Sequence, residues 1–121
     1  MAKVLIVDDS QLYRFKLRNL VEARGHEALT AHDGEEALAL ARAELPEVIL
    51  MDIVMPGMSG YEAKRMLARD PATRDIPVIF VSSKSAESDK VWGMRLGAAG
   101  YVTKPVDPAK LDSTIDGVVA A

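Results

Sequence analysis

Two regimes of apolar spacing alternate along this chain. Short runs rich in Val and Ile are separated by longer stretches in which apolar residues recur at helical intervals. "KVLIV" (3–7) predicts a first strand, and Ser10 offers an N-cap for a helix reaching about Arg24, ended by Gly25 in the left-handed position. "EALTA" (27–31) predicts a weaker second strand, followed by a helix over "DGEEALALARAEL" (33–45) that Pro46 stops. "EVILMD" (47–52) is apolar on both alternating faces and predicts a strand buried on both sides. After the turn-rich "MPGMSG" (55–60) come a helix over 61–70, a fourth strand over "IPVIFVSS" (76–83), a helix over 86–98 with Gly97 near its end, and a fifth strand, "GYVTK" (100–104). Pro108 opens a last helix in its first turn, where a missing N–H costs nothing. Five strands alternating with five helices, without repeats or linkers, predict one α/β domain over residues 1–121. Its doubly wound parallel sheet is covered on both faces and built from right-handed crossovers.

In such a sheet, chemistry collects at the carboxyl ends of the strands. The first strand runs into Asp8 and Asp9, the third into Asp52, the fourth into Ser82 and Ser83, and the fifth into Lys104 and Pro105. The second, ending near His32 and Asp33, adds no obvious member. Adjacent like charges in a low-dielectric crevice repel strongly, so these acids need a reward. Three carboxylates without cysteine and without a well-placed His pair suit a hard divalent cation, Mg²⁺ or Mn²⁺. Acids, cation, lysine and hydroxyl together fit a phosphoryl group carried on a carboxylate, with Asp52 the natural acceptor.

Bulk properties narrow the alternatives. The chain has 121 residues, 49% hydrophobic and 27% charged, the balance of a globular domain with a real core. No apolar run approaches the roughly 20 residues of a membrane span, and "MAKVLIVDD" is too short and too acidic for a signal peptide. There is no cysteine to suggest secretion, and a net charge of −3 with scattered basic residues argues against nucleic acid as a partner. The expectation is a cytoplasmic protein without membrane insertion.

The stretches "IVDDS" (6–10), "ILMDIVMPGMSGYE" (49–62), "PVIFVSS" (77–83) and "GAAGYVTKPV" (97–106) stand in an order and spacing that resemble the receiver domain of two-component response regulators, the CheY-like family. "ATRDIPVIFVSSK" and "VWGMRLGA" further resemble stand-alone receivers of twitching-motility chemosensory systems, the PilH type. The resemblance implies a flavodoxin-like sheet in the order 2-1-3-4-5. It implies phosphorylation of Asp52 by a sensor histidine kinase or a phosphotransfer domain. Mg²⁺ is then held by Asp9, Asp52 and the backbone carbonyl of Val54, with Asp8 acting largely through water. By the same resemblance Lys104 pairs with a phosphoryl oxygen, Ser82 turns toward it on activation, and Tyr101 is a switch aromatic filling the space Ser82 vacates. The Lys104–Pro105 peptide is expected to be cis. Val54 and Lys84 occupy positions that modulate dephosphorylation. A downstream protein reads the face formed by the fourth helix, fifth strand and fifth helix. It must favour phosphorylation to the same extent that phosphorylation favours its binding.

Each residue also has a plainer reading. Asp8 and Asp9 could merely cap a helix, Ser82 could serve a turn, and Lys104 could be a solvated charge. Trp92, four residues before Leu96, reads first as packing, and an exposed Trp92 would be an interface anchor. "RFKLR" (14–18) reads as a solvated helix face with Phe15 and Leu17 partly inward, and His26 and His32 as surface or loop residues. The competing functions are a receiver excised from a larger regulator with an output domain, a phosphorylation-independent interaction module, and a phosphohydrolase with an aspartyl-phosphate intermediate. The hydrolase reading lacks a cap domain and an Asp-x-Asp pair. Nucleotide or flavin binding lacks a P-loop or a G-x-G-x-x-G. The expectation is a phosphoacceptor switch rather than an enzyme acting on other substrates.

Overall fold

Strands as apolar as "VILM" and "VIFVS" cannot leave either face in water, and every residue of both is buried. In the computed structural model, which describes residues 1–119, the order is β1 (Lys3–Val7), α1 (Gln11–Ala23), β2 (Glu27–Ala31), α2 (Gly34–Glu44), β3 (Val48–Met51), α3 (Gly60–Arg69), β4 (Val78–Ser82), α4 (Glu87–Arg95), β5 (Gly100–Thr103) and α5 (Pro108–Val119). The last two positions of the expected 1–121 domain lie outside the described residues. All pairings are parallel, in the order β2-β1-β3-β4-β5.

Alternation along the strands divides the core in two. Leu5, Val7, Ile49, Met51, Val78 and Phe80 face Ala37 and Ala41 of α2 and Ala63 and Leu67 of α3. Val4, Ile6, Leu50, Ile79 and Val81 face Leu17 and Val21 of α1 and Leu111 and Ile115 of α5. Each large aliphatic side chain buried this way contributes about 1.5–3 kcal/mol, so the sheet is the rigid part of the molecule.

Local signals fix the ends of the helices. Side-chain oxygens of Ser10, Asp33 and Ser59 accept from the backbone N–H of Tyr13, Glu36 and Glu62, and Asp107 accepts from Ala109. Two helices end in the same six-to-one turn. After α1, His26 N–H donates to the Val21 carbonyl and Gly25 N–H to that of Glu22. After α4, Ala98 N–H donates to Gly93 and Gly97 N–H to Met94. Gly25 and Gly97 supply the positive φ that this turn needs (85° and 90°). That turn is why α4 stops at Arg95 rather than 98. Leu45 takes a left-handed conformation at the end of α2 (φ 46°), since Pro46 bars helical geometry to its predecessor. β1 and β2 keep their expected bounds, and the other expected boundaries differ by at most two residues. Among the described residues no helix is long and apolar enough to cross a membrane.

Two expectations need correction. Phe15 does not turn inward: it is 61% exposed, while Leu17 alone on that stretch is fully buried. Position 15 falls on the outer side of α1, whose inward stripe runs through Leu17 and Val21. Nor is Trp92 core packing. It is 41% exposed on α4, with the Arg65 guanidinium 5.6 Å from its ring centroid.

Candidate functional site

Strand register assembles the pocket. Val7 stands beside Met51, so the next residues, Asp8 and Asp52, leave the sheet side by side, and Asp52 N–H continues the ladder to the Val7 carbonyl (2.9 Å). Ser82 stands beside Thr103, and Lys104 N–H donates to the Ser82 carbonyl (2.8 Å). The pairing that stabilises the sheet thus also sets the spacing of the chemical groups.

Asp8 is 1% exposed and Asp52 7%, while Asp9 faces solvent. One oxygen from each of the three lies within 4.8 Å of the others. Lys104 Nζ donates to Asp8 Oδ2 at 2.8 Å and to Asp52 Oδ2 at 3.2 Å. The remaining carboxylate oxygens are also held: Ser10 N–H donates to Asp8 Oδ1 (2.9 Å) and Ile53 N–H to Asp52 Oδ1 (2.8 Å). Burial pushes the Asp52 carboxyl above the usual range, with Lys104 opposing and Asp8 reinforcing that rise. Burial works against the Lys104 charge, but the Asp8 hydrogen bond and the two carboxylates outweigh it, so Lys104 holds its proton more tightly than an ordinary lysine.

Of the remaining sequence candidates, Ser82 is completely buried at the end of β4, and its Oγ accepts from Lys84 N–H (3.2 Å). Tyr101 is half-buried, and its hydroxyl donates to the Lys84 carbonyl (2.5 Å). Burial, with Tyr61 and Asp89 nearby, raises that phenol to about 12. Lys84 itself points to Asp89 (3.7 Å) on α4 rather than to a site carboxylate, and the Val54 side chain is 58% exposed. The Lys104–Pro105 peptide is cis. Of the two histidines, His32 pairs with Glu36 (2.7 Å) at the α2 N-terminus, and His26 Nδ1 accepts from Ala2 N–H (3.0 Å).

Sequence reasoning missed four neighbours of this pocket. Tyr13 places its ring under Lys104 Nζ, 4.0 Å from the centroid. Arg14 donates to the Asp8 carbonyl (2.7 Å), fixing the loop that carries Asp9. Tyr61 packs edge-on to Phe80, which packs on Tyr101, and donates to the Asp89 carbonyl (3.3 Å). Gly60 lies so close to the Asp52 backbone that a Cβ there would sit 2.2 Å from the carbonyl oxygen. Only Gly60 carried a signal in advance, as the last glycine of "MPGMSG".

Fold and pocket together define a signalling domain of the two-component class. The chain belongs to the response regulator receiver domain family, whose profile matches residues 4–116. It is 52% identical over 120 residues to protein PilH of Pseudomonas aeruginosa, covering 99% of both chains. It is 38% identical to the phosphate regulon transcriptional regulatory protein PhoB of the same species, where it spans 96% of its own length and 51% of PhoB. The chemotaxis response regulator CheY4 of Vibrio cholerae superposes with a TM-score of 0.90 at 35% identity, covering 98% of both chains. The chain therefore functions in two-component signal transduction, and the sheet order implied by the resemblance is the one observed.

Proposed function

We propose that Asp52 is the phosphoacceptor of a signalling switch, with residues 1–121 forming one receiver domain. The convergence of Asp8, Asp9 and Asp52 oxygens within 4.8 Å, with Lys104 Nζ bridging two of them, carries this reading. A carboxylate oxygen of Asp52 attacks phosphorus, the bond from phosphorus to the donor breaks, and the donor leaves with the electron pair. The donor is a phosphohistidine of a sensor kinase or phosphotransfer domain, or a small acyl phosphate. Asp8, Asp9, Asp52 and the Val54 carbonyl would hold Mg²⁺ or Mn²⁺, and an all-oxygen donor set suits such ions. When bound, the ion supplies positive charge that lowers repulsion between the carboxylates and the incoming phosphoryl group.

Lys104 exchanges one carboxylate for a phosphoryl oxygen, and the buried Ser82 hydroxyl turns from Lys84 N–H toward the same group. That movement reaches Tyr101 because Ser82 and Tyr101 both hold residue 84, the one by its N–H and the other by its carbonyl. The α4–β5–α5 face then changes for a downstream protein. The exposed Val54 and Lys84 govern how readily water reaches the acyl phosphate. The only turnover is self-catalysed phosphorylation and dephosphorylation, and the setting is cytoplasmic.

Incubation with acetyl phosphate and Mg²⁺ tests the assignment. One phosphoryl group per chain is expected in the wild type and none in Asp52→Asn, with the label hydroxylamine-labile. Equal labelling of Asp52→Asn would remove Asp52 from the role. Pull-down with and without beryllofluoride, in wild type and Asp52→Ala, identifies partners of the activated form.

A further inference from the structure

We propose that Tyr13 is a positioning residue for Lys104, presenting its aromatic face so that the ammonium stays aimed at the phosphoryl position. This rests on the reading of Asp52 as phosphoacceptor and adds to it a residue outside the acid–hydroxyl–lysine set. The observation is geometric. Lys104 Nζ has three protons, and two are directed at Asp8 and Asp52 (2.8 and 3.2 Å). The ammonium also stands over the Tyr13 ring, 4.0 Å from its centroid. An aromatic face attracts a cation through its quadrupole, most strongly where water is excluded, and the Lys104 side chain is only 11% exposed.

Tyr13 is itself anchored at its backbone and at its side chain. Tyr13 N–H donates to the Ser10 side chain at the start of α1 (3.2 Å), and its body packs on the core between the sheet and α1 and α5. A second ammonium, Lys16, lies further from the same ring (5.3 Å) and is exposed, so water screens it.

The consequence concerns the moment of exchange. When Lys104 leaves Asp52 for a phosphoryl oxygen, its flexible four-carbon stem would otherwise let the ammonium swing toward water or remain on Asp8. The fixed ring beneath it keeps the charge within the pocket and keeps solvent from one side. An aliphatic side chain at 13 would fill the same space without attracting the charge.

Two measurements test this on the full chain. The first is the Lys104 ε-methylene proton shift in the free protein. Ring current should move it upfield in wild type and Tyr13→Phe but not in Tyr13→Leu. The second is beryllofluoride affinity with Mg²⁺: Tyr13→Leu should weaken it by about three- to ten-fold and Tyr13→Phe by less than about two-fold. Thermal melting of both variants separates these effects from misfolding, and the Phe rescue separates a π-face from bulk. Tyr13→Leu binding as wild type does, or Tyr13→Phe losing as much as Leu, overturns the inference. Wild-type protein that binds no beryllofluoride would instead overturn the phosphoacceptor reading beneath it.

Discussion

Replacing Lys104 with Met keeps the volume and removes the charge. Asp8 and Asp52, 1% and 7% exposed, then face each other across the pocket without a counter-charge. Breaking a buried ion pair from one side costs about 3–5 kcal/mol, a large share of the roughly 5–15 kcal/mol that hold a domain folded. For a chain of 121 residues, that corresponds to a midpoint lowered by about 10–20 °C. The loss depends on pH with a definite sign. Burial already makes folded Asp52 bind its proton more tightly than the unfolded chain does, so stability falls as pH rises above the ordinary aspartate value of 3.8. Without Lys104 opposing that rise, the fall extends to higher pH, and the deficit is greatest at neutral pH and small in acid. Urea unfolding at pH 5 and pH 7.5, with and without Mg²⁺, provides the assay. The cation at 100 times its dissociation constant should return about 2.7 kcal/mol. Asp8→Asn in the Lys104→Met background should return much of the remainder. A loss below about 1 kcal/mol at pH 7.5, as for a pair exposed to water, would mean that the carboxylates are solvated and the electrostatic account is wrong.

Two further outcomes are expected. Gly60→Ala places a methyl 2.2 Å from the Asp52 carbonyl oxygen and 2.9 Å from the Ile53 Cα, so urea unfolding should show a loss of about 2–3 kcal/mol and acetyl phosphate labelling of Asp52 should fall with it. Lys64, 6% exposed on α3 with its pKa lowered by burial, binds its proton less tightly folded than unfolded, so wild-type stability climbs as pH approaches the ordinary lysine value of 10.5; Lys64→Met should be about 1 kcal/mol more stable at pH 7, an advantage that urea melts at pH 10 should find diminished.

What could be read in advance followed chemistry local to the chain. Capping by Ser10, the left-handed Gly25, Gly97 near a helix end, and Pro108 at a first turn each act within a few residues, so sequence alone exposes them. The convergence of Asp8, Asp52 and Lys104 was legible for a different reason. Parallel strands between helices bring all their carboxyl ends to one edge, so position along a strand is position in the site. Tyr13 and Arg14 were illegible because their roles depend on how α1 is rotated above the sheet, which no local signal sets. Phe15 misled for the same cause: a rotation of one position sends a large apolar side chain out instead of in. Trp92 reads as core by composition, yet α4 buries only Gly93 toward the sheet, because Phe80 and Tyr101 already fill the space there.

The resting pocket is therefore held by opposed charges. Two buried carboxylates and an exposed third would destabilise the edge of the sheet if left alone, and Lys104 offsets that cost only by committing its ammonium to both buried acids. On the proposed reading of Asp52 as phosphoacceptor, a phosphoryl group entering beside it would compete for the same ammonium and so would loosen the Lys104–Asp8–Asp52 arrangement. A change of partner at Lys104 need not travel through the core to be felt elsewhere. Lys104 N–H is bonded to the Ser82 carbonyl, the Ser82 hydroxyl to Lys84 N–H, and the Lys84 carbonyl to Tyr101, so the link from pocket to the α4–β5 face is three hydrogen bonds long. Each bond contributes about 0.5–1.5 kcal/mol, comparable to the 1–3 kcal/mol of ordinary coupling between two sites. The fold thus places the Lys104 ion pair and the half-buried Tyr101 at the two ends of one short polar chain along β4 and β5, and on the proposed reading a switch of that size needs no larger rearrangement of the sheet.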